Sequence, residues 1–154
     1  MKSNLGYKQQ APMGYLIHEV ARLLKRRFED QARVHGITLP QWRVLAQIAL
    51  NEGITQVALA AATDTDPMTV SGVLDRLEKR GLIDRYADPT DSRAKLARLT
   101  PEGEQVFTTT RTVGFAMYEA ALEGITPEER EIAIKALSRM RDNLIGQTAE
   151  LEEI

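Results

Sequence analysis

Apolar residues recur at helical spacing from about Pro12 to His35, where Leu16, Ile17, Val20, Leu23, Leu24 and Phe28 form one stripe. Lys25, Arg26, Arg27 and Glu29 lie mostly off that stripe, and Gly36 is a stop. Thr38-Leu39-Pro40-Gln41 then reads as a capping box, because a threonine hydroxyl and a glutamine three residues later satisfy each other's exposed amides. Trp42, Val44, Leu45, Ile48 and Ala49 give the second helix its buried face, and Asn51-Glu52-Gly53 is a turn. Thr55 opens a short, alanine-rich third helix to about Ala62.

The next segment is the most informative. Thr63-Asp64-Thr65 is a three-residue turn, Asp66 is a natural N-cap, and Pro67 is pre-organised for the first helical position. In the helix that follows, Val70, Val73, Leu74 and Leu77 obey the i, i+3, i+4, i+7 rule and face inward. Met68, Thr69, Ser71, Gly72, Asp75, Arg76 and Lys79 are left mostly outward, and Gly81 stops the helix. Leu82 to Tyr86 and Lys95 to Leu99 read as short strands flanking the polar loop Asp88-Pro89-Thr90-Asp91. Thr100-Pro101-Glu102 starts a fifth helix through Val106, Val113, Met117 and Leu122. Thr126-Pro127-Glu128-Glu129 is a second capping box, leading into a last helix with Ile132, Leu137, Met140, Leu144 and Ile145. The expected fold is therefore mainly α with a small β-hairpin wing, in the order α1-α2-α3-α4-β-wing-β-α5-α6. A helix with small polar outward residues, followed by a hairpin with an arginine near its tip, suits a winged helix-turn-helix that reads DNA.

Charge modifies this picture only locally. The 154 residues carry a net charge of -2, which does not announce a nucleic-acid binder. Yet Arg76, Lys79, Arg80, Arg85, Arg93, Lys95 and Arg98 cluster together, whereas Glu150, Glu152 and Glu153 gather at the far end. Arg76, Lys79, Arg85, Lys95 and Arg98 are the candidates for phosphate contact, and Arg80 could equally pair with Glu78 or Asp84. The chain has no cysteine, which excludes disulfides and thiolate zinc sites. No apolar run approaches a membrane span, and the first fifteen residues lack the apolar core of a signal peptide, so a cytoplasmic location is expected.

Enzyme chemistry finds little support. His18-Glu19-Val20-Ala21-Arg22 lacks the second histidine of a zinc-protease helix. Asp64-Thr65-Asp66-Pro67 fails as a calcium loop, and no phosphate-binding glycine loop or serine, histidine and aspartate set can be placed by spacing. Neither a metal nor a cofactor is expected. The competing readings are a winged-helix module for protein–protein contact and a small enzyme on a helical scaffold.

The motifs LPQWRVL, LAAATDTDPMTVSGVLDRLEKRGLI, DPTDSR and LTPEG, taken in this order, resemble the MarR family of transcriptional regulators over nearly the whole chain. The resemblance implies a winged helix-turn-helix lobe at 38–100. It also implies a discontinuous helical dimerisation lobe from 10–37 and 101–150, shared between two copies that straddle a pseudo-palindromic operator in double-stranded DNA. It implies a repressor released by a small, often aromatic, effector. On this reading Thr55, Met68, Thr69, Ser71, Gly72, Arg76, Lys79, Thr90, Ser92, Arg93 and Lys95 are candidate DNA contacts. Arg93 has two roles to choose between, minor-groove insertion and a brace to Asp75. Trp42 is either core or a wall of an effector pocket, with Tyr15 and His18 as further candidates for that pocket; His35 could also line it. The chain departs from the family pattern where Asp64 stands for a common glycine and Thr90 for a common wing arginine. Independently of the family, the first and last two helices have apolar stripes with little chain left to cover them, so burial against a second copy is expected.

Overall fold

A computed structural model describes residues 9–152, with side chains through Gln147. The N-terminal residues 1–8 and the acidic side chains of Glu150, Glu152 and Glu153 lie outside the described residues. The elements are α1 (Pro12–Val34), α2 (Leu39–Leu50), β1 (Ile54–Thr55), α3 (Gln56–Ala62), α4 (Pro67–Lys79), β2 (Ile83–Ala87), β3 (Lys95–Leu99), α5 (Pro101–Ala121) and α6 (Pro127–Glu152). The expected order holds, with one addition. The hairpin is completed by β1 into an antiparallel sheet of order β1-β3-β2, in which Ile54 opposes Ala97 and Thr55 opposes Leu96. A two-residue strand has no alternation to read, so only the helix-opening role of Thr55 was visible in the sequence.

The chain divides into two compact units, one ending at Tyr118 and one beginning at Glu119. In the first, Leu45, Ile48, Leu59, Val70, Leu74, Leu77 and Ile83 are fully enclosed. They are joined by Phe28 and Ala32 of α1 and by Ala97 of β3. Burying such aliphatic side chains contributes roughly 1.5–3 kcal/mol apiece, so this core fixes where α4 sits. The capping box at Thr38 forms, with its amide donating to Gln41 Oε1 at 3.1 Å and the Gln41 amide donating to Thr38 Oγ1 at 3.4 Å.

The first turn of α5 is locked onto the turn that leads from α4 into β2. Thr100 Oγ1 accepts from the Gly103 amide at 3.1 Å and donates to the Gly81 carbonyl at 2.6 Å. A Cβ at position 103 would lie 1.9 Å from the Leu82 carbonyl oxygen, so only glycine permits this approach. On α1, Leu16, Val20 and Leu23 of the apolar stripe are about half exposed.

The second unit contains α6. Its capping box also forms, the Thr126 amide donating to Glu129 Oε2 at 2.8 Å and the Glu129 amide to Thr126 Oγ1 at 3.2 Å. Arg130 gathers the preceding turn by donating to the Leu122 and Ile125 carbonyls, each at 3.3 Å. Ile132, Leu137, Leu144 and Ile145 are exposed within this unit. No described helix is long and apolar enough to cross a membrane.

Candidate nucleic-acid interface

The turn between α3 and α4 is built from short polar side chains. Thr63 Oγ1 donates to the Leu59 carbonyl at 2.7 Å, and Thr65 Oγ1 donates to the Thr63 carbonyl at 3.0 Å. Asp64 adopts φ +49°, the left-handed backbone that glycine would otherwise supply and that aspartate tolerates. Asp66 caps α4 by accepting from the Thr69 amide at 2.9 Å and the Thr69 hydroxyl at 2.5 Å. These bonds, the hydroxyl's first, hold the Asp66 carboxyl below its usual range.

The two faces of α4 separate as the sequence pattern requires. Val70, Val73, Leu74 and Leu77 are buried, whereas Met68, Thr69, Arg76 and Lys79 are exposed and Ser71 and Gly72 are half-buried. A Cβ at Gly72 would meet nothing within 4 Å. Glycine in a helix interior costs roughly 1 kcal/mol against alanine, and no neighbour among the described residues accounts for it. Thr55 caps α3, its hydroxyl accepting from the Ala58 amide at 3.1 Å.

The wing departs from expectation at three residues. Asp75 does not pair with Arg93. Instead Arg85 Nη2 donates to Asp75 Oδ1 at 2.6 Å and to Glu78 Oε2 at 2.5 Å, and Arg85 Nε donates to Glu78 Oε2 at 3.0 Å. The reason is positional. β2 leaves α4 through a tight turn, so Ile83 and Arg85, two residues apart, turn back toward the helix, while Arg93 lies in the wing loop between β2 and β3. Arg85, with a side chain only 18% exposed, is thus a brace and not a free phosphate contact. Its hydrogen bonds hold the Glu78 carboxyl below the usual glutamate range, against a smaller opposing effect of desolvation. The same bonds from Glu78 and Asp75 raise the Arg85 guanidinium's affinity for its proton.

Arg80 pairs with neither Glu78 nor Asp84. Its Nη1 donates to the Gly36 carbonyl at 2.5 Å and to Gln41 Oε1 at 3.4 Å, tying the end of α4 to the start of α2. Arg98 lies 3.7 Å from Asp84 and sits 5.2 Å from the Tyr86 ring centroid. Thr90 is exposed on the loop, where Asp88 accepts from its amide at 2.8 Å and its hydroxyl at 2.7 Å. Those two bonds hold the Asp88 carboxyl below its usual range. Asp91 accepts from the Arg93 amide at 3.0 Å. Among the described residues, the side chains of Arg76, Lys79, Arg93 and Lys95 make no ion pair with this chain, and Ser92 is exposed beside them.

A cavity of about 890 Å³ opens between α1, α2 and α5, with Phe28, Leu39, Trp42, Arg43, Arg111 and Tyr118 among its lining residues. Trp42 is half-buried between the core and the cavity. It packs against the core and also lines the cavity, stacked on Phe107 with ring centroids 5.1 Å apart and planes 15° apart. Tyr15 and His18 do not line it, because the cavity begins at Ala21, one turn further along α1. No group of His, Cys, Asp and Glu among the described residues could hold a metal ion.

The sequence model of the MarR family matches residues 37–95. The chain is 34% identical over 110 residues to the transcriptional regulator HosA of Escherichia coli, an alignment covering 71% of this chain and 82% of HosA. It is 28% identical over 128 residues to an HTH-type transcriptional repressor of Mycobacterium tuberculosis, covering 82% of this chain and 92% of the repressor. Among solved structures, a MarR mutant from E. coli complexed with operator DNA superposes with a TM-score of 0.77 at 27% identity, covering 87% of this chain and 96% of that one. The Staphylococcus aureus MepR–DNA complex gives a TM-score of 0.77 at 26% identity, covering 85% and 97%. The winged helix, the buried face of α4 and these relatives lead to one conclusion: the chain belongs to the MarR family.

Proposed function

We propose that this chain is a homodimeric, sequence-specific DNA-binding transcriptional regulator of the repressor type. One observation carries the reading. α4 has a fully buried inner face, and its outer face carries exposed Met68 and half-buried Ser71 and Gly72 beside four cations that make no ion pair among the described residues, Arg76, Lys79, Arg93 and Lys95. A recognition helix needs its small residues toward base edges and its cations toward phosphates. The relatives support this, since MarR and MepR are each solved with DNA and the mycobacterial relative is a repressor. Regulators of this family are generally not enzymes, and the reading involves no catalytic step.

The apolar stripes left open on α1 and α6 support pairing with a second copy, which would form the helical lobe expected from 10–37 and 101–150. Wing insertion is carried by Arg93 and Lys95, with Thr90 shaping the loop. The cavity beside Trp42 suits a small aromatic effector with an acidic group, because Lys25, Arg43 and Arg111 line it together with Phe28, Trp42 and Tyr118. Such a ligand shifts DNA affinity only through its different affinity for the two arrangements of the dimer.

The test is half-site phasing. Duplexes enriched from a randomised pool by the full chain should contain two inverted half-sites about one helical turn apart. Inserting five or ten base pairs between the half-sites should each abolish tight binding, since one dimer spans only half-sites about one turn apart. Failure to enrich any motif, leaving only salt-dependent binding of random duplex, would refute the reading.

A further inference from the structure

At 86% exposure, Met68 is the most exposed of the large apolar side chains described. It occupies the second position of α4, and Ser71 and Gly72 follow on the same face at i+3 and i+4. Scattered exposed apolar residues need no explanation. This one differs in its surroundings: it stands at the N-terminal end of a helix whose uncovered face holds an otherwise unexplained glycine, with nothing within 4 Å of where a Cβ would be.

Resting on the DNA-binding reading above, we propose that Met68 is a specificity-determining residue that reads the 5-methyl group of a thymine in the major groove. One observation and two general properties of DNA recognition carry the assignment. N-terminal residues of a recognition helix are the ones that reach base edges. The Asp66 carboxylate caps the helix beside Met68 and repels phosphate, so this end of α4 lies over bases and the cations Arg76 and Lys79 at the other end meet the backbone. Thymine presents the one apolar group among the major-groove edges of the four bases, and an unbranched thioether can adapt to it. Gly72, one turn on, lets the helix axis approach closely enough for that contact.

The experiment uses the full chain and the duplex it enriches from a randomised pool. Each thymine in a half-site is replaced singly by deoxyuridine, which removes the methyl group and leaves every hydrogen-bonding atom in place. Wild type should lose about fourfold in affinity at one thymine per half-site. Met68→Ala should bind the thymine and deoxyuridine duplexes equally while keeping the wild-type helical circular dichroism and salt dependence. Met68→Gln, which can form paired hydrogen bonds with adenine, should shift the base selected at that position. A wild type indifferent to deoxyuridine at every position, or a Met68→Ala that still discriminates, would overturn the assignment while leaving the regulator reading intact. Enrichment of no motif by wild type would overturn both.

Discussion

The brace between α4 and β2 offers a quantitative test of how the wing is held. Arg85→Ala removes three hydrogen bonds to two carboxylates, at 2.5–3.0 Å. The carboxylates are accessible, with the Asp75 side chain 62% exposed and Glu78 40% exposed, so the Coulomb attraction must be discounted for solvent. Exposed pairs are worth roughly 0.2–1 kcal/mol, and hydrogen bonds to charged groups reach about 1.5–3 kcal/mol when better shielded. The largely enclosed guanidinium places the total between these, so Arg85→Ala should cost about 1–2 kcal/mol. Urea denaturation at fixed protein concentration should show a lower midpoint with an unchanged slope. A double-mutant cycle then assigns the partner. Asp75→Ala with Arg85→Ala should give a coupling of about 0.5–1 kcal/mol, and Asp75→Ala with Arg93→Ala about zero. Coupling confined to the second pair would refute the brace described here. The pH dependence has a definite sign. Because the Glu78 carboxyl is held below its ordinary value near 4.5 in the folded state, its share of the brace is present above that value and is lost as pH falls through the depressed one.

Other outcomes follow from single contacts. Gly103→Ala should destabilise the fold by about 3 kcal/mol, measured by urea denaturation, because its Cβ would overlap the Leu82 carbonyl. A neutral substitution would show that α5 does not dock this tightly. Gly72→Ala should do the opposite, raising stability by up to about 1 kcal/mol through helix propensity. It should also lower affinity for the enriched duplex by about tenfold or more, since a methyl group then stands between helix and bases. Unchanged affinity would remove the close-approach argument. Leu74→Ala empties a fully enclosed site and should cost about 2–5 kcal/mol in denaturant.

Much of this fold was legible because its local signals agree. Helix caps at Thr38, Asp66 and Thr126 are stated by residue type and spacing, and each forms in the structure. The inner face of α4 follows from a 3.6-residue period, and Asp64 takes the left-handed turn that its type permits. What escaped depended on distance in space. The partner of Asp75 is set by how β2 turns back on α4, and the pattern Ile83, Arg85 was the available signal. Arg80 reaches 44 residues back along the chain to Gly36, a contact with no local signature. The glycine of LTPEG was visible as a motif, but its cause, the Leu82 carbonyl, appears only once the chain is folded. On α1, periodicity identified an apolar stripe without telling which part of it the same chain would cover.

The most direct test of the central claim, that the outer face of α4 reads DNA, is a paired titration of wild type and Ser71→Glu. Each is measured at one salt concentration against the enriched duplex and a scrambled duplex of equal length. Ser71 is half-buried on the outer face, so the substitution places a negative charge against the polyanionic duplex while leaving the buried face intact. Wild type should prefer the enriched duplex by about a thousandfold or more. Ser71→Glu should lose that preference while retaining helical circular dichroism and the wild-type oligomeric state. Undiminished preference in the variant would contradict the claim and place the DNA-reading surface elsewhere.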